Sequence, residues 1–459
     1  MAGKREALSA TTIEIPQEVR ELLLRLRAAG FEAYAVGGCV RDSLRGEIPQ
    51  DWDICTSARP QETAACFAEE RVILTGERFG TVTVVQGGQS YEITTFRAES
   101  GYSDSRHPDA VAFLPELRGD LLRRDFTVNA MAADAEGRVI DLFGGREDLR
   151  TGVIRCVGAP DARFSEDALR ILRGLRFASR FGFSIAPETA AAIHAQRERL
   201  EAVSRERLRK ELSGLLTGRG AAGVMAEFSD VVCTLVPELS ACIGFLQYNP
   251  HHAYDVWQHT LHAVDAVEPE EPLRLAALLH DIAKPAVFCF DRNLVGHFPG
   301  HDVAGAAVAE RVLRRLRYDT ATIHEVTQLV RGHMLFLPAT PRAARRLLAQ
   351  AGPDRARKLL CLHRADRLGK GTENEALLEA QVRAAQARIE QVLEQENCFS
   401  LRQLAVSGRD LIALGIPQGV LIGQTLDALL QRVIAGTLPN EREALLAEAV
   451  CFAQRNNCK

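Results

Sequence analysis

Two things are missing from this sequence at once: a CxxC pair and an apolar run long enough to cross a bilayer. Its eleven cysteines are scattered, so they read as reduced thiols in a cytoplasm rather than as a disulfide framework. The opening "MAGKREALSATTIEIPQEV" has no apolar core of signal-peptide length. Aromatic residues are scarce, at 6%, which argues against a base-stacking platform as the main mode of binding. Neither charge sign dominates, because the net is −4. Any contact with a polyanion must come from local basic runs, not from the field of the whole molecule. There is no internal repeat and no low-complexity tract. What is left is an ordinary globular composition over 459 residues, enough for two to four domains.

Residues 14–29, "EIPQEVRELLLRLRAA", carry helical periodicity, with Pro16 near the first turn and Gly30 just past the end. "FEAYAVGG" then reads as a strand running into a glycine turn. "DWDICTSA", "GTVTVVQGG" and "SYEITTFRA" read as short strands, and "NAMAADAEGRVIDLFGG" as a hairpin turning at "AEG". The pattern predicts a small α+β sheet domain over residues 31–145, with strand signals ending by about 160. Helical segments follow, separated by Gly and Pro near 183–188, 236–250, 296–300 and 367–372. "FRAESGYSDSRHPDAVAF" at 96–113 has turn formers and charge without apolar period, which predicts a mobile loop. "SEDALRILRGLRFASRFGF" is predicted to start a helix at Ser165.

Chemistry enters with "YAVGGCVRDSLRG" and "DWDICTSARP". In an extended strand Asp51 and Asp53 share a face, and a carboxylate pair so placed can converge on one or two Mg²⁺ ions. Gly37 and Gly38 let backbone amides approach a triphosphate, and Arg41 supplies a fixed, forked charge. Alone, a D-x-D is common on solvated surfaces and a Gly-Gly is a turn. The ordered set is much harder to obtain by accident. Glu92 in "SYEITTFR" is the candidate third carboxylate; a solvated edge-strand glutamate reads equally well. Further along, Asp167, Arg170, Arg173 and Arg176 recur every three residues, one stripe of a helix beside the apolar stripe Leu169, Leu172 and Leu175. Such a stripe is either a solvated face or a set of forks that can meet a base edge or a phosphate.

"AVGGCVRDSLRGEIPQDWDICTSARP" resembles the head motif of the class II tRNA nucleotidyltransferases (CCA-adding enzymes) and the bacterial poly(A) polymerases. "LLRRDFTVNAMA" at 121–132 resembles their ribose-recognising motif, and "FSEDALRILRGLRFASRFGF" at 164–183 their nucleobase-recognising helix. The resemblance implies an α+β head of the polymerase-beta-like nucleotidyltransferase fold over 1–150. An all-α remainder follows: a nucleobase-recognising neck (151–225), an HD-domain body (226–370) and a tail contacting tRNA (371–459). It further implies that Asp167 and Arg170 read the Watson–Crick edge of CTP or ATP, that Arg173 and Arg176 help place base and triphosphate, and that Arg124 and Asp125 read the ribose. Asp125 also reads as a helix N-cap. The stretch 96–113 is similar to the loop that helps complete CCA-adding enzymes switch from C to A.

Ten of the twelve histidines fall between 251 and 363. His259, the doublet His280-Asp281 and Asp366, with His301 and His333 between them, resemble the metal-dependent phosphohydrolases named for their HD doublet. That implies a second divalent metal held by imidazole and carboxylate, able to activate water on a phosphate ester. Catalysis there and a purely structural body both remain open. "HDIAKP" and the tail at 407–446 resemble HD-bearing CCA-adding enzymes in particular. The expected function is Mg²⁺-dependent addition of C, C and A to tRNA from CTP and ATP, without a nucleic-acid template. The alternatives are a poly(A) polymerase, a split CC- or A-adding enzyme, or an RNA-binding regulator whose HD domain is the working hydrolase. Basic runs at 204–210, 311–317 and 342–348 are candidate phosphate contacts, the first above all.

Overall fold

The computed structural model describes residues 12–100, 110–395 and 401–457. The helix Gln17–Ala28 opens after Pro16, buries Val19, Leu22, Leu23 and Leu26, and stops at Gly30, whose φ is +90°. Nine strands follow in the first part of the chain. They are β1 (Ala33–Val36), β2 (Ile54–Thr56), β3 (Arg71–Ile73), β4 (Thr81–Gln86), β5 (Gln89–Thr95), β6 (Arg97–Ser100), β7 (Ala110–Phe113), β8 (Met131–Ala133) and β9 (Val139–Asp141). Seven of them form one sheet in the order β3-β4-β5-β2-β1-β8-β9. β4 and β5 are joined by Gly87 and Gly88, both at positive φ, as a tight two-residue hairpin requires. Every neighbouring pair is antiparallel except β2 and β5. A parallel pair needs a crossover; here it runs through the helix Pro60–Cys66, β3 and β4. Val36, Cys55, Ala132, Phe96, Leu121 and Val157 pack together under the sheet.

Three expectations need correction. Strands do continue past 160: Ser184–Ile185 pairs in parallel with Val153–Ile154, and Cys289–Phe290 pairs with Gly296–His297. Two-residue strands are too short for alternation to reveal them. The flanks of the expected loop at 96–113 pair as an antiparallel ribbon, with Arg97 opposite Phe113; residues 101–109 of that stretch lie outside the described residues. Finally, Ser165 does not start a helix. Pro160 begins one that ends at Glu166; Asp167 is extended, and the next helix is Leu169–Phe181. Asp167 is therefore off the stripe that its spacing suggested. Its Oδ1 accepts the Leu169 amide at 3.0 Å, so it starts the second helix instead of riding on it.

The chain divides into two compact units. The first runs through residue 240 and takes in 315–318; the second holds the rest. In the first, helices cover the sequence after β9 almost continuously, including Leu169–Phe181 and Arg205–Leu216. The second is helical apart from the short Cys289–Phe290 hairpin. Its last helices, Gly408–Ala413, Val420–Ile434 and Arg442–Asn457, share a core of Leu411, Leu429, Leu445 and Ala449.

Candidate active site and metal centre

Asp51 and Asp53 lie just before β2, but the Val36 amide already donates to the Asp53 carbonyl at 3.0 Å, so the segment runs extended beside β1. In the parallel register Ile54 lies opposite Ile93. One residue back, Asp53 falls beside Glu92, and both point away from the buried face that Ile54 and Ile93 occupy. Asp51, Asp53 and Glu92 thus share one solvent-facing surface. β5 lies between β4 and β2, so Glu92 is on an inner strand, not on an edge. Crowding raises the Asp53 pKa: desolvation comes first, Arg124 pulls the other way, and the charges of Glu92 and Asp51 push it up again. A divalent cation would relieve that repulsion, and all-oxygen donors suit Mg²⁺. The three side chains stand side by side without closing into a tight cage; among the described residues such cages occur only in the second unit.

The glycine turn presses on the same surface. Gly37 has φ +84°, and a Cβ there would come within 2.7 Å of Arg124 Nη1. Gly38 opens the short helix Gly38–Leu44. Arg41, expected as a fixed, forked charge, is held by its neighbours. It is buried, its Nε and Nη2 are spent on both Asp42 oxygens at 2.7 and 2.9 Å, and its Nη1 donates to Asn129 Oδ1 at 2.5 Å. It also lies against the rings of Phe177 and Phe181. Arg41 therefore braces the turn against the helix Leu169–Phe181, with three of its five N–H donors committed to Asp42 and Asn129. Gly37→Ala should lower incorporation at least about tenfold, chiefly through a raised nucleotide KM. It should also cost about 1–2 kcal/mol of stability from the positive φ. Steady-state kinetics and thermal melts check both, and an unchanged KM would mean that Arg124 does not serve the nucleotide.

Arg124, Asp125, Asp167, Arg170 and Arg173 converge on one pocket of 290 Å³, joined there by Arg123, Leu169 and Arg207. Asp125 Oδ1 accepts from the Phe126 amide and from Asn129 Nδ2, at 2.8 and 3.0 Å. Its Oδ2 takes Arg173 Nε and Nη2 at 2.9 and 2.7 Å. Burial alone would raise its pKa, but Arg173 and Asn129 hold it at about 2. The turn Thr127–Asn129 has Phe126 at its N-cap and no side-chain cap, so Asp125 is not a helix cap and its chief partner is Arg173. Arg170 is buried and tied to Glu166 Oε2 at 2.6 Å and to the Arg123 carbonyl at 3.0 Å. Arg176 is not brought into the pocket: it turns to Glu211 at 2.5 Å and lies over the Phe177 ring. Sequence reasoning missed Arg123, Asn129, Glu211 and the true place of Arg207. The last sits in a basic run expected to face RNA phosphates, yet its Nη2 donates to Asp167 Oδ2 at 2.8 Å.

In the second unit the whole histidine ladder assembles. His259, His280, Asp281 and Asp366 offer ligand atoms within 4.8 Å of one another, and Asp281 does the same with His301 and His333. All six are buried. They come from helix ends and faces: His259 from Val256–Ala266, His280-Asp281 just after Glu271–Leu279, His301 at the start of His301–Arg315, His333 after Thr320–Gly332, and Asp366 on Pro353–Gly369. Lys284 Nζ lies 2.6 Å from Asp281 Oδ2 and also donates to Gln247. Apart from that ion pair neither Asp281 oxygen receives a hydrogen bond of good geometry, which leaves both able to face a cation. Burial would strip the His259 proton, but Asp281 and Asp366 hold its pKa up at about 9; burial and His280 press His333 down to about 4. A cavity of 540 Å³, lined by His333, His363, Asp366, Lys370 and the exposed Phe336 among others, opens beside the cluster.

A carboxylate face on a mixed sheet, a glycine turn and an arginine-lined pocket define the head of a nucleotidyltransferase. Family models agree: the poly A polymerase head domain matches residues 33–155, the probable RNA and SrmB-binding site of polymerase A matches 182–229, and the putative tRNA nucleotidyltransferase domain 2 matches 303–449. The CCA-adding enzyme of Latilactobacillus sakei is 36% identical over 437 residues, 94% of this chain and 97% of its own. That of Levilactobacillus brevis is 35% identical over 451 residues, 94% and 98%. Among solved structures, the Bacillus stearothermophilus CCA-adding enzyme in complex with CTP is 30% identical, with a TM-score of 0.69 over 96% of this chain and 98% of that one. The chain belongs to the family of CCA-adding enzymes. No helix among the described residues is long and apolar enough to cross a membrane.

Proposed function

We propose that this protein adds C, C and A in turn to the 3′ end of tRNA, taking CTP and ATP and using its own side chains in place of a nucleic-acid template. One observation carries the reading: a pocket holding both Asp167 and Arg170 shares Arg124 with the turn beside Asp51, Asp53 and Glu92. Cytosine and adenine both present an amino donor next to a ring-nitrogen acceptor. A carboxylate beside a guanidinium complements that pair and mismatches uracil and guanine. Asp125, held by Arg173, and Arg124 are set to orient the ribose and triphosphate. Asp51, Asp53 and Glu92 would hold Mg²⁺, which supplies charge neutralisation for the triphosphate and activation of the 3′-hydroxyl. The hydroxyl oxygen attacks the α-phosphorus, and pyrophosphate leaves.

We assign residues 1–150 to the head, 151–225 to the neck, 226–370 to the body and 371–459 to a tail that contacts tRNA. The nine described cysteines are free thiols, in keeping with a cytoplasmic location. The cluster of His259, His280, Asp281 and Asp366 favours a second reading alongside the first: a divalent-metal phosphohydrolase site in the body. Its donors fit a transition metal better than Mg²⁺.

The test of the main reading is tRNA truncated at its 3′ end, incubated with CTP, with ATP and with both. CTP alone should extend the tRNA by CC, the mixture should complete CCA, and ATP alone should add nothing. A long A tract would make the protein a poly(A) polymerase, and addition of A only to tRNA ending in CC would make it a split enzyme.

A further inference from the structure

Asp120 belongs to neither site described above and has no contact with water. It lies on the short helix Leu117–Leu122 and is 0% exposed, and its neighbours Leu117 and Leu121 belong to the core under the sheet. A carboxylate sealed in this way needs cations or several donors around it. Among the described residues its side chain is held by two arginines. Oδ1 takes Arg123 Nε and Nη2, each at 2.9 Å, and Oδ2 takes Arg124 Nη2 at 3.3 Å. The separations of three and four residues are those that bring side chains together along one turn of helix.

Both arginines reach outward from this anchor. Their side chains are 18% and 19% exposed, and both line the 290 Å³ pocket, whose lining does not include Asp120. Arg124 Nη1 is the atom that a Cβ at Gly37 would strike. Against desolvation and the charges of Glu92 and Asp51, Arg124 also pulls the Asp53 pKa down. Its Nε is buried without a partner, so among the described residues the bond to Asp120 is the one hydrogen bond its guanidinium makes. Arg123 contributes its backbone as well, its carbonyl accepting Arg170 Nη2 at 3.0 Å. An arginine without such an anchor samples several rotamers and loses that freedom each time a ligand enters.

We propose that Asp120 is a positioning residue of the nucleotide pocket. It does not meet the nucleotide; it fixes the place from which Arg124 does. The proposal rests on the reading that Arg124 serves the incoming nucleotide, and names the group on which that service depends. Asparagine at 120 keeps the volume but removes the charge, and its amide nitrogen sets a donor against a guanidinium donor. Arg170 keeps its own tie to Glu166 at 2.6 Å, so reading of the base should survive the change.

The test is a double-mutant cycle in the full chain: wild type, Asp120→Asn, Arg124→Ala and the two together. Steady-state incorporation into truncated tRNA gives kcat and KM for each, with thermal melts alongside. Asp120→Asn should raise the KM for CTP about fivefold, the effect of freeing one arginine side chain. The KM for tRNA and the preference for CTP over UTP should stay within about twofold of wild type, because neither depends on Arg124. On the Arg124→Ala background the same substitution should change the KM for CTP by less than about twofold, since the group it acts through is already gone. If Asp120→Asn does not fold, Asp120→Ser, which keeps an acceptor in a smaller side chain, takes its place in the cycle. Equal factors in the two backgrounds overturn the proposal and leave the role of Arg124 standing; Asp120 then serves only to neutralise charge within the fold. A lost nucleotide preference in Asp120→Asn overturns it too. An Arg124→Ala protein with the wild-type KM for CTP overturns the reading of Arg124, and the proposal with it.

Discussion

Asp51→Ala and Asp53→Ala should each cut nucleotide incorporation at least about a hundredfold, a loss of about 2.7 kcal/mol of transition-state stabilisation. Binding of tRNA should stay within about twofold of wild type, because phosphate contacts, not catalytic carboxylates, carry RNA affinity. Both residues sit on the solvent-facing surface beside Glu92, where Asp53 already feels its neighbours' charge. Removing either carboxylate takes away a ligand for the ions that would position the triphosphate and lower the pKa of the attacking hydroxyl. Single-turnover incorporation from labelled CTP, paired with filter binding of truncated tRNA, separates the two effects. A variant that keeps more than a few per cent of wild-type turnover removes these residues from the chemistry. Glu92→Gln should fall in the same direction, since the sheet register places it beside Asp53.

The second large effect concerns choice of nucleotide. Arg170→Ala should reduce the preference for CTP over UTP by about two orders of magnitude, through loss of a buried donor that the correct base satisfies and the wrong base does not. The side chain is held in place by Glu166 and by the Arg123 carbonyl, so on this proposal its fork would meet an incoming base with little freedom left to lose. With arginine gone, the ring nitrogen of cytosine loses its partner and the N3–H of uracil no longer faces a like donor. The measurement is kcat/KM for CTP and for UTP on tRNA lacking CCA. If the ratio survives while both rates fall together, Arg170 supports the fold of the pocket and does not read the base.

The parts legible in the sequence were those written contiguously. Gly37, Gly38, Asp51 and Asp53 are neighbours in the chain, and a strand's two-residue period puts the aspartates on one face without further information. Glu92 was different: its place depends on β2 and β5 pairing in parallel across a crossover, which no local pattern reveals. Spacing misled at Asp167, because a helix begun at Pro160 ends just before it and the stripe of threes is broken there. Composition misled at Arg207, a cation in a run expected to face RNA phosphates that is committed to an aspartate 40 residues away. In the body, the identities of the six side chains that cluster could be read from their order. How closely they approach depends on helix ends meeting in space, and so required coordinates.

The chain of contacts from Asp42 through Arg41, Asn129 and Asp125 to Arg173 bears on how such a protein can be recombined. Two of its links join segments distant in sequence, Arg41 to Asn129 and Asp125 to Arg173, and Arg41 is wedged against Phe177 and Phe181 as well. A gene exchange that imports the sheet from a relative but keeps the resident helix Leu169–Phe181 would set foreign partners where Arg173 meets Asp125 and where Phe177 and Phe181 meet Arg41. Nucleotide preference and catalytic geometry are then inherited as one block, and crossovers between relatives should be tolerated outside the span from Gly37 to Phe181 far better than within it.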